Sequence, residues 1–125
     1  TENSFRAVLK SNWNSVKNIN IESEDLNTIM VKNFVHADID LSGDADKSVK
    51  IIDAKRGFID TDAGDDTIVI KALTNGSGWS NTFEINSGDG NDKITLKGDD
   101  GHTIADITAG AGDDIVRMPR LGLAT

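Results

Sequence analysis

At 125 residues the chain fits one domain with a modest core. Hydrophobic residues make up 37% and aromatics 5%, with two Trp, four Phe and no Tyr, which excludes a core built on aromatic rings and favours thin layers of Ile, Val, Leu and Ala. The net charge of −8 argues against nucleic acid and anionic membrane as partners, and the absence of Cys excludes disulfides and thiolate metal sites.

No run approaches the length of a membrane-spanning helix and no signal peptide is visible, so membrane insertion is not expected. If the protein is exported, its signal lies outside this sequence. Asp supplies 17 of the 21 acidic residues. Asp is a poor helix former, a turn residue and a short-armed oxygen ligand, so this bias points to turns and to hard cations rather than to soluble helices.

Residues 4–13 open the chain ambiguously. Phe5, Val8, Leu9 and Trp13 have helical spacing, while Phe5, Ala7 and Leu9 alternate like a strand; the segment is assigned as a cap or first rung. Val16, Ile19, Ile21, Leu26, Ile29, Val31, Phe34 and Val35 are spaced like further strands. Ile39 and Leu41 lead to the turn Ser42-Gly43-Asp44-Ala45-Asp46-Lys47, and Val49, Ile51 and Ile52 follow it. All twelve Gly lie beyond Leu41.

From there short β-branched strings alternate with Gly- and Asp-rich turns. Residues 58–61 precede a first turn and 67–73 follow it. Residues 83–86 and 93–96 flank a second, and 103–108 and 115–118 flank a third. None is long enough for a helix. The three turns repeat one another as Asp62-Ala63-Gly64-Asp65-Asp66, Gly88-Asp89-Gly90-Asn91-Asp92 and Gly110-Ala111-Gly112-Asp113-Asp114. Their final Asp residues fall 26 and 22 positions apart, a period that points to a solenoid.

In a parallel coil, equivalent residues of successive turns lie about 4.8 Å apart. Asp66, Asp92 and Asp114 would then form a column of like charges, which either share protons or take a cation. Calcium suits the residue types, because it accepts carboxylates and backbone carbonyls together, and glycine lets the turn bend so that carbonyls point inward. The turn at 42–47 looks like a rung that keeps its shape and has lost its ligand. Lys47 stands where the others carry Asp, and its ammonium is expected against a neighbouring carboxylate.

These turns resemble the Gly-Gly-x-Gly-x-Asp-x-U-x repeat of RTX calcium-binding β-rolls. Gly64, Gly90 and Gly112 match the fourth position, Asp66, Asp92 and Asp114 the sixth, and Ile68, Ile94 and Val116 the apolar eighth. Gly88 and Gly110 match the second position and Asp62 departs from it; no copy has the leading Gly. The resemblance covers roughly residues 38–118. It implies that the sixth-position carboxylates bridge turns around Ca2+ while the surrounding turn residues, Asp62, Gly64, Asp65, Asp89, Gly90, Asn91, Gly112 and Asp113, complete the site. RTX repeats run nine residues apart, whereas here one motif appears per coil, so one ion-binding edge with about two interleaved sites is expected, opposite an edge of irregular loops.

Other chemistry finds less support. An EF-hand starting at Asp60 would need Glu where Lys71 stands. His36 and His102 are isolated, and no nucleophile-elbow pattern is present. Trp79 reads as a cover over the end of a thin core, with sugar stacking as the alternative, and Lys55-Arg56 reads as a solvated turn.

The sequence therefore predicts one all-β domain, a right-handed parallel β-helix or β-roll-like solenoid. Residues 1–33 form the cap and first rungs, 34–118 the repeat region and 119–125 a tail, with the coil stopping near Pro119. The expected function is that of a non-enzymatic, calcium-ordered structural module of a secreted or surface-exposed bacterial protein. A polysaccharide-binding module is the alternative, and end-to-end self-association a third reading.

Overall fold

The computed structural model describes residues 4–8, 18–72, 81–97 and 103–118. These residues form strands and turns with no helix among them. In chain order the strands are β1 Ser4–Val8, β2 Asn18–Ser23, β3 Thr28–Lys32, β4 His36–Leu41, β5 Ser48–Ala54, β6 Arg56–Asp60, β7 Thr67–Ala72, β8 Asn81–Asn86, β9 Lys93–Lys97, β10 Thr103–Thr108 and β11 Ile115–Arg117. Odd-numbered strands make one sheet, in the order β1-β3-β5-β7-β9-β11, and even-numbered strands make the other, in the order β10-β8-β6-β4-β2. Every strand pair is parallel. The chain thus alternates between two facing sheets as it advances, which is a parallel β-solenoid as the sequence predicts.

Alternation in each strand produces this arrangement. Inward positions are apolar and align in register, so like side chains stack on like. Ile21, Ile39, Ile59 and Ile85 form one ladder along the even sheet. Ile29, Val49, Ile68 and Ile94 form another along the odd sheet, beside Val31, Ile51, Ile70 and Leu96. All of these are buried, and Phe83 is the largest fully buried side chain among the described residues. Each such aliphatic side chain contributes on the order of 1.5–3 kcal/mol of gross burial energy. Small isoleucine layers thereby replace the aromatic core that the composition denies.

Ser4–Val8 is a strand that pairs with β3, so this part of the opening segment is a first rung. Residues 9–13, with Leu9 and Trp13, and Val16 lie outside the described residues, as do Trp79, His102 and the tail 119–125 with Pro119. One expectation needs correction. The resemblance implies that the apolar eighth position points into the core; Ile68 and Ile94 do, but Val116 is 41% exposed, because β11 is the last strand of its sheet among the described residues.

The two edges of the solenoid differ. Passages from the even to the odd sheet are the turns 42–47, 61–66, 87–92 and 109–114, all six residues long, preceded by a shorter one at 24–27. Passages from the odd to the even sheet are unequal: three residues at 33–35 and the single residue Lys55. Asp53, at φ 61°, sits at the irregularity where β5 loses register with β7 just before that tight passage.

The outward positions segregate by charge. On the odd sheet Arg6, Lys50, Lys71, Lys93, Lys97 and Arg117 are exposed and Lys32 is half-buried; Asp53 is the acid on its strands. On the even sheet Glu22, Glu84 and Asp106 are exposed and Asp38, Asp40 and Asp60 half-buried, with Arg56 and His36 among them. Asp60 is raised above the usual carboxylate range, chiefly by burial, with the charges of Asp40 and Asp62 adding to it against the Asp62 backbone N–H and Lys47.

Stacking is tightest at the regular edge. Gly90 has φ 131°, and a Cβ there would lie 2.0 Å from the Gly64 carbonyl oxygen. At Gly43, whose φ is 106°, the nearest atom to a Cβ is the Glu24 carbonyl oxygen at 3.8 Å. Gly90→Ala should therefore cost about 3 kcal/mol or more, from strain and backbone collision together, and Gly43→Ala should cost only the strain, on the order of 1 kcal/mol. Urea unfolding of the two variants checks this, and equal losses would contradict it.

Candidate metal centre

The regular edge is built from four superposed six-residue turns. An Asx contact opens two of them: Asp62 N–H donates to Asp60 Oδ1 at 3.1 Å, and Gly88 N–H to Asn86 Oδ1 at 3.2 Å. The residue at this second position takes a left-handed conformation, Asp62 at φ 61° and Gly88 and Gly110 at φ 73°. Asp62 thus fills the repeat's second position because Asp tolerates this region better than most side chains.

The sixth position of each turn carries the column predicted from sequence. Lys47 N–H donates to Asp66 Oδ1 at 2.8 Å, Asp66 N–H to Asp92 Oδ1 at 2.8 Å, and Asp92 N–H to Asp114 Oδ1 at 2.9 Å. Each carboxylate thus reaches back one turn and satisfies the backbone of the residue it stacks on. Asp66 and Asp92 are each 1% exposed, and Asp114 is half-buried at the end of the column. The second carboxylate oxygens, Oδ2 of Asp66 and of Asp92, are buried and make no hydrogen bond. An orphaned, buried carboxylate oxygen is costly unless a proton or a cation meets it.

Asp65, Asn91 and Asp113, at the fifth position, form a parallel column on the outside. Asp65 N–H donates to Asp46 Oδ1 at 2.8 Å, Asn91 N–H to Asp65 Oδ1 at 2.8 Å, and Asp113 N–H to Asn91 Oδ1 at 2.9 Å. Here each side chain accepts from the following turn, the opposite sense to the buried column. All three are exposed, and Asp65 and Asn91 each spend an oxygen on the backbone, so they act as a staple outside the carboxylate column. Asp62 Oδ2 likewise accepts from Gly43 N–H at 3.0 Å, and Asp89 Oδ1 lies 3.4 Å from Ala111 N.

Gly64, Gly90 and Gly112 bring turns into contact. Gly64 N–H donates to the Asp89 carbonyl at 3.1 Å and Gly90 N–H to the Ala111 carbonyl at 2.9 Å. A Cβ on Gly112 would meet the Gly90 carbonyl oxygen at 2.1 Å, so the two turns approach this closely only because the residue stacked there is glycine.

Sequence reasoning missed two contributors. Thr61 and Ser87, at the first position, are fully buried, and their hydroxyls lie 3.4 and 3.5 Å from the carbonyls of Ser87 and Ala109. Asp46 starts the outer column. In both cases the signal was present as Thr/Ser and Asp/Asn recurring at one position of the aligned turns.

Lys47 corrects an expectation. It is 3% exposed, and its ammonium sits not against a carboxylate but on three carbonyls, those of Gly43, Ala45 and Ala63, at 2.7, 2.8 and 2.9 Å. Three protons on three acceptors leave the ammonium fully satisfied.

Among the described residues, no group of three or more His, Cys, Asp or Glu side chains is arranged to hold a metal ion. The geometry explains this. The buried carboxylates stand in single file, so each interval between turns offers two of them, and the remaining oxygens are backbone carbonyls. That donor set is all oxygen, holds two orphaned buried lone-pair sites and fits a hard cation such as calcium. Compared with known proteins, the chain matches no family model, no curated protein and no solved structure.

Burial raises Asp66 to about 6, the charge of Asp92 adds to the shift, and the Thr61 hydroxyl, the Lys47 N–H and the Lys47 charge partly oppose it. A carboxyl raised in the folded state stabilises the fold below its unfolded value near 3.8, and this contribution is lost as pH rises through about 6. In chelator, stability should therefore fall by up to about 3 kcal/mol from this residue as pH rises from below about 4 to above about 6. Thermal melts of the wild type against Asp66→Asn check this: the variant should show a flatter pH dependence, and identical profiles would contradict the assignment.

Proposed function

We propose that the chain is a calcium-stabilised structural module that works outside the cell, without enzymatic activity. The observation that carries this reading is the pair of buried Oδ2 atoms of Asp66 and Asp92 that make no hydrogen bond. Asp66, Asp92 and Asp114 would hold the ion with carbonyls of the turns 61–66, 87–92 and 109–114. Calcium supplies positive charge where stacked carboxylates otherwise repel. The chain's own groups do the rest. Oδ1 of each Asp fixes the register of one turn on the next, and glycine keeps the turns close. Sites of extracellular modules commonly bind at about 10⁻⁴–10⁻³ M, which would leave the edge loose in the cytosol and ordered outside.

Stability should then rise with free calcium by about 2.7 kcal/mol at a hundredfold excess over the dissociation constant, a gain of roughly 10 °C in Tm. Circular dichroism melts in calcium and in chelator measure it. Asp92→Asn keeps an oxygen for the Asp66 N–H but removes the charge, and should abolish most of the response. A wild-type Tm unmoved by millimolar calcium would refute the reading.

The face of the odd sheet favours a second reading, an acidic polysaccharide as partner. Lys71 and Lys97 are register neighbours, and Thr95 neighbours Arg117. Like charges on adjacent strands destabilise the sheet slightly unless an anion lies across them. In this reading the face, and not Lys55-Arg56, contacts the polymer. A uronate polymer column at low salt should retain the wild type, with release by about 0.5 M salt. The double variant Lys71→Glu/Lys97→Glu should pass through, and equal retention of both would exclude this face.

A further inference from the structure

We infer that Lys47 is a tethered cation, and that its carbonyl seat recurs in the next turn as the seat of one divalent ion. This rests on the calcium reading above and specifies its site. The turns 42–47 and 61–66 occupy equivalent places, with Asp66 one turn on from Lys47 and hydrogen-bonded to its N–H. The Lys47 ammonium takes the carbonyls of the second and fourth positions of its own turn, Gly43 and Ala45, and of the third position of the next, Ala63. The same positions one turn on are the carbonyls of Asp62 and Gly64 and that of Asp89.

Two of those oxygens are visibly aimed along the column. A Cβ on Gly88 would lie 2.2 Å from the Asp62 oxygen, and one on Gly90 2.0 Å from the Gly64 oxygen. The positive group that gathers these carbonyls at Lys47 is missing at Asp66, where the side chain is a buried carboxylate with a free Oδ2. Exchanging an ammonium for a carboxylate lowers the local charge by two, which one divalent cation restores. Carbonyls of the second, fourth and third positions, with Oδ2 of Asp66 and Asp92, offer the all-oxygen shell that calcium takes.

The consequence is a polarity. The interval between turns 42–47 and 61–66 carries its cation covalently and is complete without calcium. The intervals beyond it depend on the free ion. The ordered, ion-independent end of the edge is therefore the Lys47 end.

Calcium per chain is counted by titration calorimetry and native mass spectrometry on the full chain, using calcium chloride alone. Lys47→Asp should bind one ion more than the wild type, with a lower Tm in chelator that calcium restores. Lys47→Met should lower Tm in chelator and in calcium alike and add no ion. Asp66→Lys, which brings its own ammonium to the second seat, should bind one ion fewer. If the wild type binds calcium but Lys47→Asp and Asp66→Lys leave the count unchanged, the seat is overturned while the calcium reading stands. If neither the wild type nor Lys47→Asp binds calcium, the calcium reading fails and the seat falls with it. Lys47→Met as stable as the wild type would also overturn the tethered cation.

Discussion

Each coil of this solenoid is held to the next, at its regular edge, by a backbone N–H that donates to the carboxylate one turn further on. The contacts of Lys47, Asp66 and Asp92 with Asp66, Asp92 and Asp114 repeat at nearly constant length. They do what a strand hydrogen bond does, but at a turn, where the backbone has left the sheet and its donors would be orphaned. A short side chain with an acceptor oxygen reaches that donor, and in Asp it brings a second oxygen with it. One oxygen satisfies the neighbour, and the other is left buried, charged and in line with its equivalents. The device that sets the register of the turns therefore also leaves a buried oxygen that either a proton or, as proposed, a cation must meet.

Other features of the edge follow from that constraint. The left-handed residues at the second position and the glycines at the fourth bring successive turns near enough for the carboxylates to reach. In the outer column Asp46, Asp65 and Asn91 accept in the opposite sense, from the N–H groups of Asp65, Asn91 and Asp113, so that each interval is stapled from both sides. Where the column begins, Lys47 turns the problem around by filling the carbonyl seat with its own ammonium. On the opposite edge the two described passages differ in length, three residues at 33–35 and Lys55 alone.

Much of this was legible in the sequence. The β-branched alternation around Ile68, Ile85 and Ile94 located strands and inward faces, because a period of two with short length admits little else. The recurrence of Asp66, Asp92 and Asp114 located the column, because turn chemistry leaves few options for Gly-x-Asp at solenoid spacing. The division of labour within a turn was not legible. Asp65 and Asp66 are identical neighbours, yet one is an exposed staple and the other is buried, which depends on the direction each Cβ takes from a bent backbone. The seating of Lys47 on carbonyls was hidden for the same reason, since no residue type announces a backbone acceptor. The segregation of charge between the two sheet faces required knowing that strands alternate between sheets. Without that, a net charge of −8 conceals a face of lysine and arginine.

The buried carboxylate of Asp66 is the proposed ion ligand, and its carboxyl carbon reports on that directly. The resonance is followed by NMR across the acidic-to-neutral range, once in chelator and once in calcium. In chelator it should inflect near 6. In calcium the inflection should move well below that, because protons and the ion compete for the same oxygen. An inflection that calcium leaves in place would contradict the account.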